Sequence, residues 1–322
     1  MRLRRFTTGL FVLLALVATA GPAAAHGLAG KRFFPATLAV DDPFVADELS
    51  LPLISHIRRP GDADEGGVLE TILVGELAKR ITPNFGISLG SSLLHQNPDT
   101  GKSRTGFGNL EIGLKYQFLK SDEHEAIMAV GLGWEVGGTG SRKVGAESFD
   151  VVHPALFFGK GLGDLPESVA FVRPLAVTGL FGIDIPTRAS TRTITLTEDG
   201  DVNVERVRHP NVLRWGFTVE YSLLYLQSFV RDVGLPAPLN RLIPLVEVAF
   251  ETPLDRGQAG RTTGTVNPGF IWAGRAFQVG IEAVIPTNDR TGRNVGVRGV
   301  LHFFLDDLFP RSIGRPLFGS AR

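Results

Sequence analysis

Apolar and polar residues alternate without interruption in Leu110-Glu-Ile-Gly-Leu-Lys-Tyr-Gln-Phe118. The even-numbered positions carry leucine, isoleucine, tyrosine or phenylalanine, and the positions between them carry glutamate, glycine, lysine or glutamine. Successive side chains of a β-strand point to opposite faces of the sheet, so this period of two predicts a strand with one apolar and one polar face. The stretch is also long enough for a tilted strand to cross the hydrocarbon layer of a bilayer.

The same period recurs along the chain. It is clear in five further segments: 85–93, 128–136, 213–223, 277–285 and 295–303. Six weaker segments fit the same scheme: 48–58, 68–80, 149–160, 169–184, 241–253 and 264–274. Twelve strands make an even number, as in single-chain bacterial barrels. We therefore predict an all-β fold, an antiparallel transmembrane β-barrel of about twelve strands spanning residues 48–305.

The connections between these segments alternate in length. With the N-terminus in the periplasm, the outer connections are mostly polar: 59–67, 95–105, 139–148, 185–209, 254–263 and 288–293. The connections at the other end are shorter, except for 225–240, which the pattern leaves unexplained. Short periplasmic turns and longer outer loops are typical of outer-membrane barrels.

The first 25 residues have the features of a signal peptide. Arg2, Arg4 and Arg5 precede an apolar run from Gly9 to Ala20, and three alanines at 23–25 suit cleavage before His26. An uncleaved anchor is the alternative. No later apolar segment reaches the length of about 18 residues that a membrane-spanning helix needs. Export and the barrel pattern together predict the outer membrane as the location.

Two segments flank the predicted barrel. Residues 26–47 contain Phe33-Phe34-Pro35 and Asp41-Asp42-Pro43, and we expect them either to plug the lumen or to lie in the periplasm. Residues 306–322 form a C-terminal tail with no assigned role.

The direction of the apolar face separates two kinds of barrel. In a soluble lipocalin-like barrel or sandwich it points inward, and in a membrane barrel it points to lipid. The tryptophans lie in the apolar phase, which favours lipid. We predict an aromatic girdle of Tyr116, Trp134, Trp215, Tyr221 and Trp272. The opposite phase predicts a charged lumen lining of Glu111, Lys115, Glu135, Arg214, Glu220, Glu282 and Arg298.

The sequence contains no catalytic motif. It lacks cysteine, and it shows no HExxH, Walker or Gly-x-Ser-x-Gly pattern, so we expect no enzyme, metal or cofactor. The count of 33 basic and 33 acidic residues argues against a nucleic-acid partner. A barrel hydrolase remains an alternative, because His302 shares the lumen phase with Glu220 and Ser222.

The stretch Gly106-Phe-Gly-Asn-Leu-Glu-Ile-Gly-Leu-Lys-Tyr-Gln-Phe-Leu119 resembles a recurring strand of the outer-membrane family named for the meta-pathway of phenol degradation. The hairpin over 76–90 is similar to the same family, although Asn109 stands where the family usually has aspartate. The resemblance implies a barrel that takes up hydrophobic or aromatic compounds. We therefore expect a channel with membrane lipid and a small solute as its partners. A structural or surface-interaction barrel without transport is the alternative.

Overall fold

The computed structural model describes residues 27–61, 66–196 and 202–319. The predicted signal peptide and His26 lie outside these residues. The strands are β1 Leu28–Ala29, β2 Arg32–Phe33, β3 Glu48–Arg59, β4 Val68–Thr82, β5 Phe85–Pro98, β6 Arg104–Phe107, β7 Leu110–Ser121, β8 Ala126–Val136, β9 Val151–Gly161, β10 Leu175–Pro186, β11 Ser190–Leu196, β12 Val202–Arg208, β13 Val212–Tyr221, β14 Leu242–Pro253, β15 Thr263–Ala273, β16 Phe277–Pro286 and β17 Gly296–Phe304. Short helical turns occur at Arg142–Val144, Glu167–Val172, Leu223–Tyr225, Leu226–Val230, Leu239–Arg241 and Leu305–Leu308.

Twelve of these strands form one closed antiparallel barrel. Each strand pairs with the next along the chain, in the order β3, β4, β5, β7, β8, β9, β10, β13, β14, β15, β16, β17. The barrel closes where β17 pairs with β3, with Arg298 opposite Ser55. Strand β6 pairs with residues 93–96 of β5, and β7 pairs with residues 85–90 of the same strand. The predicted all-β barrel of about twelve strands is confirmed.

The strand predicted over 169–184 begins later than expected. Residues Glu167–Val172 form a helical turn, and β10 starts at Leu175. Pro174 directly precedes β10, and a proline cannot donate a backbone hydrogen bond to a sheet ladder. The prediction was therefore wrong for residues 169–174.

The apolar side chains of the strands point out of the barrel. Leu114, Tyr116 and Phe118 are between 39% and 49% exposed, and the residues between them face the interior. Apolar side chains at these positions would be buried in a soluble barrel, so the lipocalin-like alternative is wrong. This outward face forms the band that contacts lipid.

The two ends of the barrel differ. We call the end that holds the turns 83–84, 122–125, 162–174, 222–241 and 274–276 the turn end, and the other end the loop end. The chain enters β3 and leaves β17 at the turn end, and the hairpin of β11 and β12 lies at the loop end. Among the described residues, no helix is long and apolar enough to cross a membrane.

Candidate functional site

The N-terminal segment, residues 27–47, runs inside the barrel. Its hairpin of β1 and β2 lies at the turn end, where Gly30 donates a backbone hydrogen bond of 2.8 Å to Asp122. Two apolar clusters join the segment to the barrel wall. In one cluster Phe34 and Phe44 pack with Ile127, and in the other Leu38 packs with Ile271. The segment therefore fills part of the lumen and is packed there.

The carboxylate of Glu247 holds the deepest part of the segment. It accepts backbone hydrogen bonds from Leu38 at 2.8 Å, Ala39 at 2.9 Å and Val40 at 2.8 Å. Glu247 is completely buried on β14. Three successive amides around one carboxylate form a strong anion-binding arrangement, because hydrogen bonds from backbone N–H groups to a carboxylate are stronger than those between neutral groups. Glu247 was not among the predicted lining residues, although its position in the alternation of β14 puts it in the polar phase.

Arg32 fixes the hairpin at the turn end. Its Nε donates to Glu125 at 3.2 Å and its Nη1 donates to the carbonyl of Pro174 at 2.8 Å. The guanidinium lies 4.0 Å from the centre of the Tyr225 ring, and the Tyr225 hydroxyl donates to Glu125 at 2.9 Å. Burial and the hydrogen bond to Glu125 raise the pKa of Tyr225 to about 12, so the phenol remains a donor at neutral pH. This packing accounts for one part of the long 222–241 connection, which the sequence pattern left unexplained.

Asp47 connects the segment to the barrel and to the C-terminal tail. It accepts hydrogen bonds from Lys79 Nζ at 2.6 Å and from Arg80 Nε at 2.8 Å. Lys79 Nζ also donates to the carbonyl of Ile313 at 2.9 Å, and Phe318 donates its amide to the carbonyl of Ile81 at 2.8 Å. The described part of the tail is therefore fastened beneath the hairpin of β4 and β5.

A cavity of about 550 Å³ remains between the N-terminal segment and a wall of β3 to β5, β7 to β10, β13 and β17. Lys115 crosses it from β7, and its Nζ lies 2.8 Å from the carbonyl oxygen of Asp42 and 3.2 Å from the Asp41 carboxylate. Toward the loop end, Asp184 Oδ1 lies 2.8 Å from His153 Nδ1 and 2.7 Å from Arg214 Nε. The cavity is therefore lined by charged groups along much of its length.

Asn109 fastens the loop over residues 137–150. Its amide nitrogen donates to Glu135 at 2.8 Å and to the carbonyl of Glu147 at 3.0 Å, while its oxygen accepts from Gly140 at 2.8 Å. Two of these bonds need an N–H donor, which an aspartate does not have. The departure from the family pattern at this position therefore serves a local contact.

The predicted lining residues fall into two groups. Glu111, Lys115, Glu135 and Arg214 line the cavity. Glu220, Glu282 and Arg298 also lie in the lumen phase of their strands, but they do not line the cavity. Both glutamates are buried. Arg298 donates to Glu282 at 2.7 Å and to Ser55 at 3.1 Å. Glu282 and Arg298 therefore brace the wall, and Glu220 is buried away from the open part of the lumen.

The five predicted girdle aromatics lie at different heights on the outer face. Trp134 and Trp215 are near the loop end of β8 and β13, and Tyr221 and Trp272 are at the turn end of β13 and β15. Tyr116 lies nearer the middle of its strand, within β7, and is 49% exposed.

The hydrolase hypothesis placed His302 with Ser222 and Glu220. Ser222 instead caps the helical turn at 223–225 by accepting a hydrogen bond from the Tyr225 amide. His302 Nδ1 lies 2.8 Å from Ser50 Oγ, and its Nε2 lies 3.3 Å from Glu48 Oε2 without hydrogen-bond geometry. The structure therefore places His302 beside Ser50 and Glu48, and it places Ser222 at the start of a helical turn. Across residues 27–61, 66–196 and 202–319, no three His, Asp or Glu side chains are grouped as a metal site.

No protein-family model matches the sequence, and no curated protein matches it. Among solved structures, the COG4313 outer membrane channel from Pseudomonas putida F1 is similar, with a TM-score of 0.55 at 11% identity over 84% of this chain and 99% of that one. The KdgM porin in complex with disordered oligogalacturonate has a TM-score of 0.44 at 11% identity, over 79% and 98% of the two chains. The TodX deltaS2S3 mutant monoaromatic hydrocarbon channel has a TM-score of 0.41 at 8% identity, over 86% and 98%.

At these identities the comparison concerns the fold alone, and of these three structures the COG4313 channel is similar enough to support it. The similarity agrees with the closed strand order and with the exposed apolar band. The chain is a twelve-stranded β-barrel of the outer-membrane type, and its location is the outer membrane.

Proposed function

We propose that this barrel is a channel for small solutes and that its N-terminal segment is a plug held in the lumen. The proposal depends mainly on the cavity of about 550 Å³ that runs beside the segment and is lined by charged groups. A barrel that served only as a structural element would gain more stability from a filled interior. We take the turn end to be periplasmic, since short turns and chain termini lie there in barrels of this type.

The charge of the lining favours some solutes over others. Seven carboxyl groups line the cavity, from Asp41, Asp42, Glu48, Glu76, Glu111, Glu135 and Asp184, against the four basic side chains of Lys115, His153, Arg214 and His302. Such an excess attracts cations and repels anions at close range. We therefore propose small cations and neutral polar molecules first. The hydrophobic or aromatic solutes that the family resemblance implies are the second candidates.

The plug is held by separate contacts at its tip and its base. Glu247 holds residues 38–40 at the tip, while Arg32 and Asp47 hold the two ends of the segment at the turn end. Partial release would need only the tip contacts to break, because the base is fastened independently. We propose that the channel conducts when the tip leaves Glu247.

Planar-bilayer recording tests this function. We expect the full-length barrel to conduct in small and infrequent steps, and a variant lacking residues 27–46 to conduct in larger and longer ones. A variant lacking residues 190–207 is the control, because the described residues of β11 and β12 pair with each other and not with a strand of the barrel. If barrels with heat-modifiable gel mobility fail to conduct with and without the segment, the channel proposal is wrong.

The surface-interaction alternative depends on that hairpin. Val204 and Val207 are 53% and 43% exposed on it. Removing residues 190–207 would then abolish binding to cells or matrix and leave conductance unchanged.

A further inference from the structure

Two turn-end connections expose an unusual number of apolar side chains. We call residues 166–174 and 222–241 the collar. Seven apolar collar residues are each between 37% and 57% exposed: Val169, Phe171, Val172, Leu224, Phe229, Val233 and Leu239. Connections of two to five residues are sufficient to join antiparallel strands. The collar therefore contains more chain, and more exposed apolar surface, than the barrel needs for its connectivity.

Hydrogen bonds place the collar at the outer rim of the barrel. The Tyr221 hydroxyl donates to the carbonyl of Phe171 at 3.1 Å, and the Trp272 indole donates to the carbonyl of Pro238 at 3.0 Å. Tyr221 and Trp272 share the phase of the outward-facing side chains, since Val219 and Phe270 beside them are 46% and 50% exposed. The collar is therefore continuous with the band that contacts lipid.

The collar is a fixed surface. Ser222 caps its first helical turn, and Gln227 Oε1 accepts the Leu235 amide at 3.0 Å. Arg173 Nε donates to the carbonyl of Leu165 at 2.6 Å. Because these contacts use backbone polar groups, the apolar side chains are presented outward on a framework that is already hydrogen-bonded.

Charged side chains lie beside this apolar surface. Arg231 is exposed within the collar, and Arg275 is exposed in the neighbouring turn between β15 and β16. Apolar side chains next to arginine are typical of the boundary between acyl chains and headgroups, because the apolar groups contact the acyl chains and the arginine contacts phosphate.

We propose that the collar is an interfacial membrane anchor that lies in the phospholipid headgroup layer at the turn end. Its continuity with the lipid-facing band and its bonds to outward aromatic residues favour lipid over a second copy of the chain. The collar covers only the side of the barrel from β9 to β15, so the anchoring is one-sided. This inference is independent of whether the barrel conducts.

The absence of cysteine allows a direct test. Single variants Phe171→Cys and Leu239→Cys carry a nitroxide label in barrels reconstituted into vesicles of phosphatidylethanolamine and phosphatidylglycerol. Val219→Cys supplies the lipid-exposed reference, because Val219 is exposed on the outer face of β13. Val204→Cys supplies the aqueous reference, because Val204 is exposed on the hairpin at the loop end. Heat-modifiable gel mobility confirms that each barrel is folded before labels are compared.

We expect labels at 171 and 239 to collide with oxygen, which concentrates in lipid, several-fold more than with a water-soluble nickel chelate. Their ratio should resemble that at 219 and differ from that at 204. Nickel access equal to that at 204 would overturn the proposal. Low access to both reagents together with spin–spin broadening would also overturn it and would indicate contact between barrels.

Discussion

The backbone amide of Leu38 donates a hydrogen bond of 2.8 Å to the carboxylate of Glu247, although 209 positions separate the two residues in the chain. Ala39 and Val40 bond to the same carboxylate. Hydrogen bonds to a charged group contribute about 1.5–3 kcal/mol each. Without the three amides, the buried carboxylate would keep the Thr218 hydroxyl at 3.5 Å and lose its shorter hydrogen bonds. The tip of the segment and the middle of β14 therefore stabilise each other.

Glu247→Gln should weaken the hold on the tip. The amide keeps one oxygen but loses the charge, so at least one of the three backbone amides loses its acceptor, at a cost of about 1–3 kcal/mol. This corresponds to a shift of roughly 5- to 150-fold toward the released state. We expect a matching rise in open probability in single-channel recordings.

Glu251→Gln is the matched control, because Glu251 lies four positions further along β14 in the same phase but is exposed. If both variants conduct like the unmodified barrel, Glu247 does not hold the segment in a way that limits conductance.

Arg32→Met should loosen the base of the segment. The substitution leaves the buried Glu125 without its cation, and breaking a buried ion pair typically costs about 3–5 kcal/mol. We expect chymotrypsin to cleave near Phe33 and Phe34 faster in this variant than in the unmodified barrel in detergent.

Lys31→Met is its control. Lys31 is exposed, and its ammonium lies 5.2 Å from the Phe229 ring, a contact that contributes about 0.5–1 kcal/mol at an exposed site. Equal cleavage rates for the two variants would show that the Arg32 contacts do not fasten the hairpin.

Replacing Glu111 and Glu135 together by glutamine should reduce the preference for cations. Both carboxylates line the cavity near the loop end, and the double variant removes two of its negative charges. We expect the reversal potential in a potassium chloride gradient to move toward the anion side. Glu123→Gln, in the exposed turn between β7 and β8, should leave it unchanged. An unchanged potential in the double variant would mean that ions do not pass this part of the cavity.

The alternation of residues was sufficient to predict the barrel and the direction of its faces. It works because every transmembrane strand repeats one physical requirement, apolar toward lipid and polar toward the lumen. The prediction was wrong at 169–174, because Pro174 cannot donate a backbone hydrogen bond and β10 begins only after it. A hydrophobic pattern alone does not register that effect.

The contacts of the N-terminal segment could not be predicted in the same way. Leu38, Ala39 and Val40 bind Glu247 through backbone amides. Because every residue except proline has such an amide, the side chains do not indicate this contact. Arg32 was one basic residue in an irregular segment, and its partners Glu125 and Tyr225 are about one hundred and two hundred positions away. Non-periodic contacts over such separations depend on the folded barrel, so only the structure reveals them.

The most direct test ties the tip of the segment to the barrel wall. Gly280 on β16 leaves room for the segment, since a Cβ there would lie 2.8 Å from Leu38 Cδ1 and its three nearest neighbours are side-chain atoms. We expect cysteines at positions 38 and 280, in a chain that has no others, to form a disulfide between the segment and the wall.

Single-channel recording of the Leu38→Cys, Gly280→Cys barrel compares its oxidised and reduced forms. We predict that the oxidised form stays closed and that a reductant restores openings within the same membrane. If the fully cross-linked barrel opens as often and conducts as much as the reduced one, movement of the segment does not control the channel.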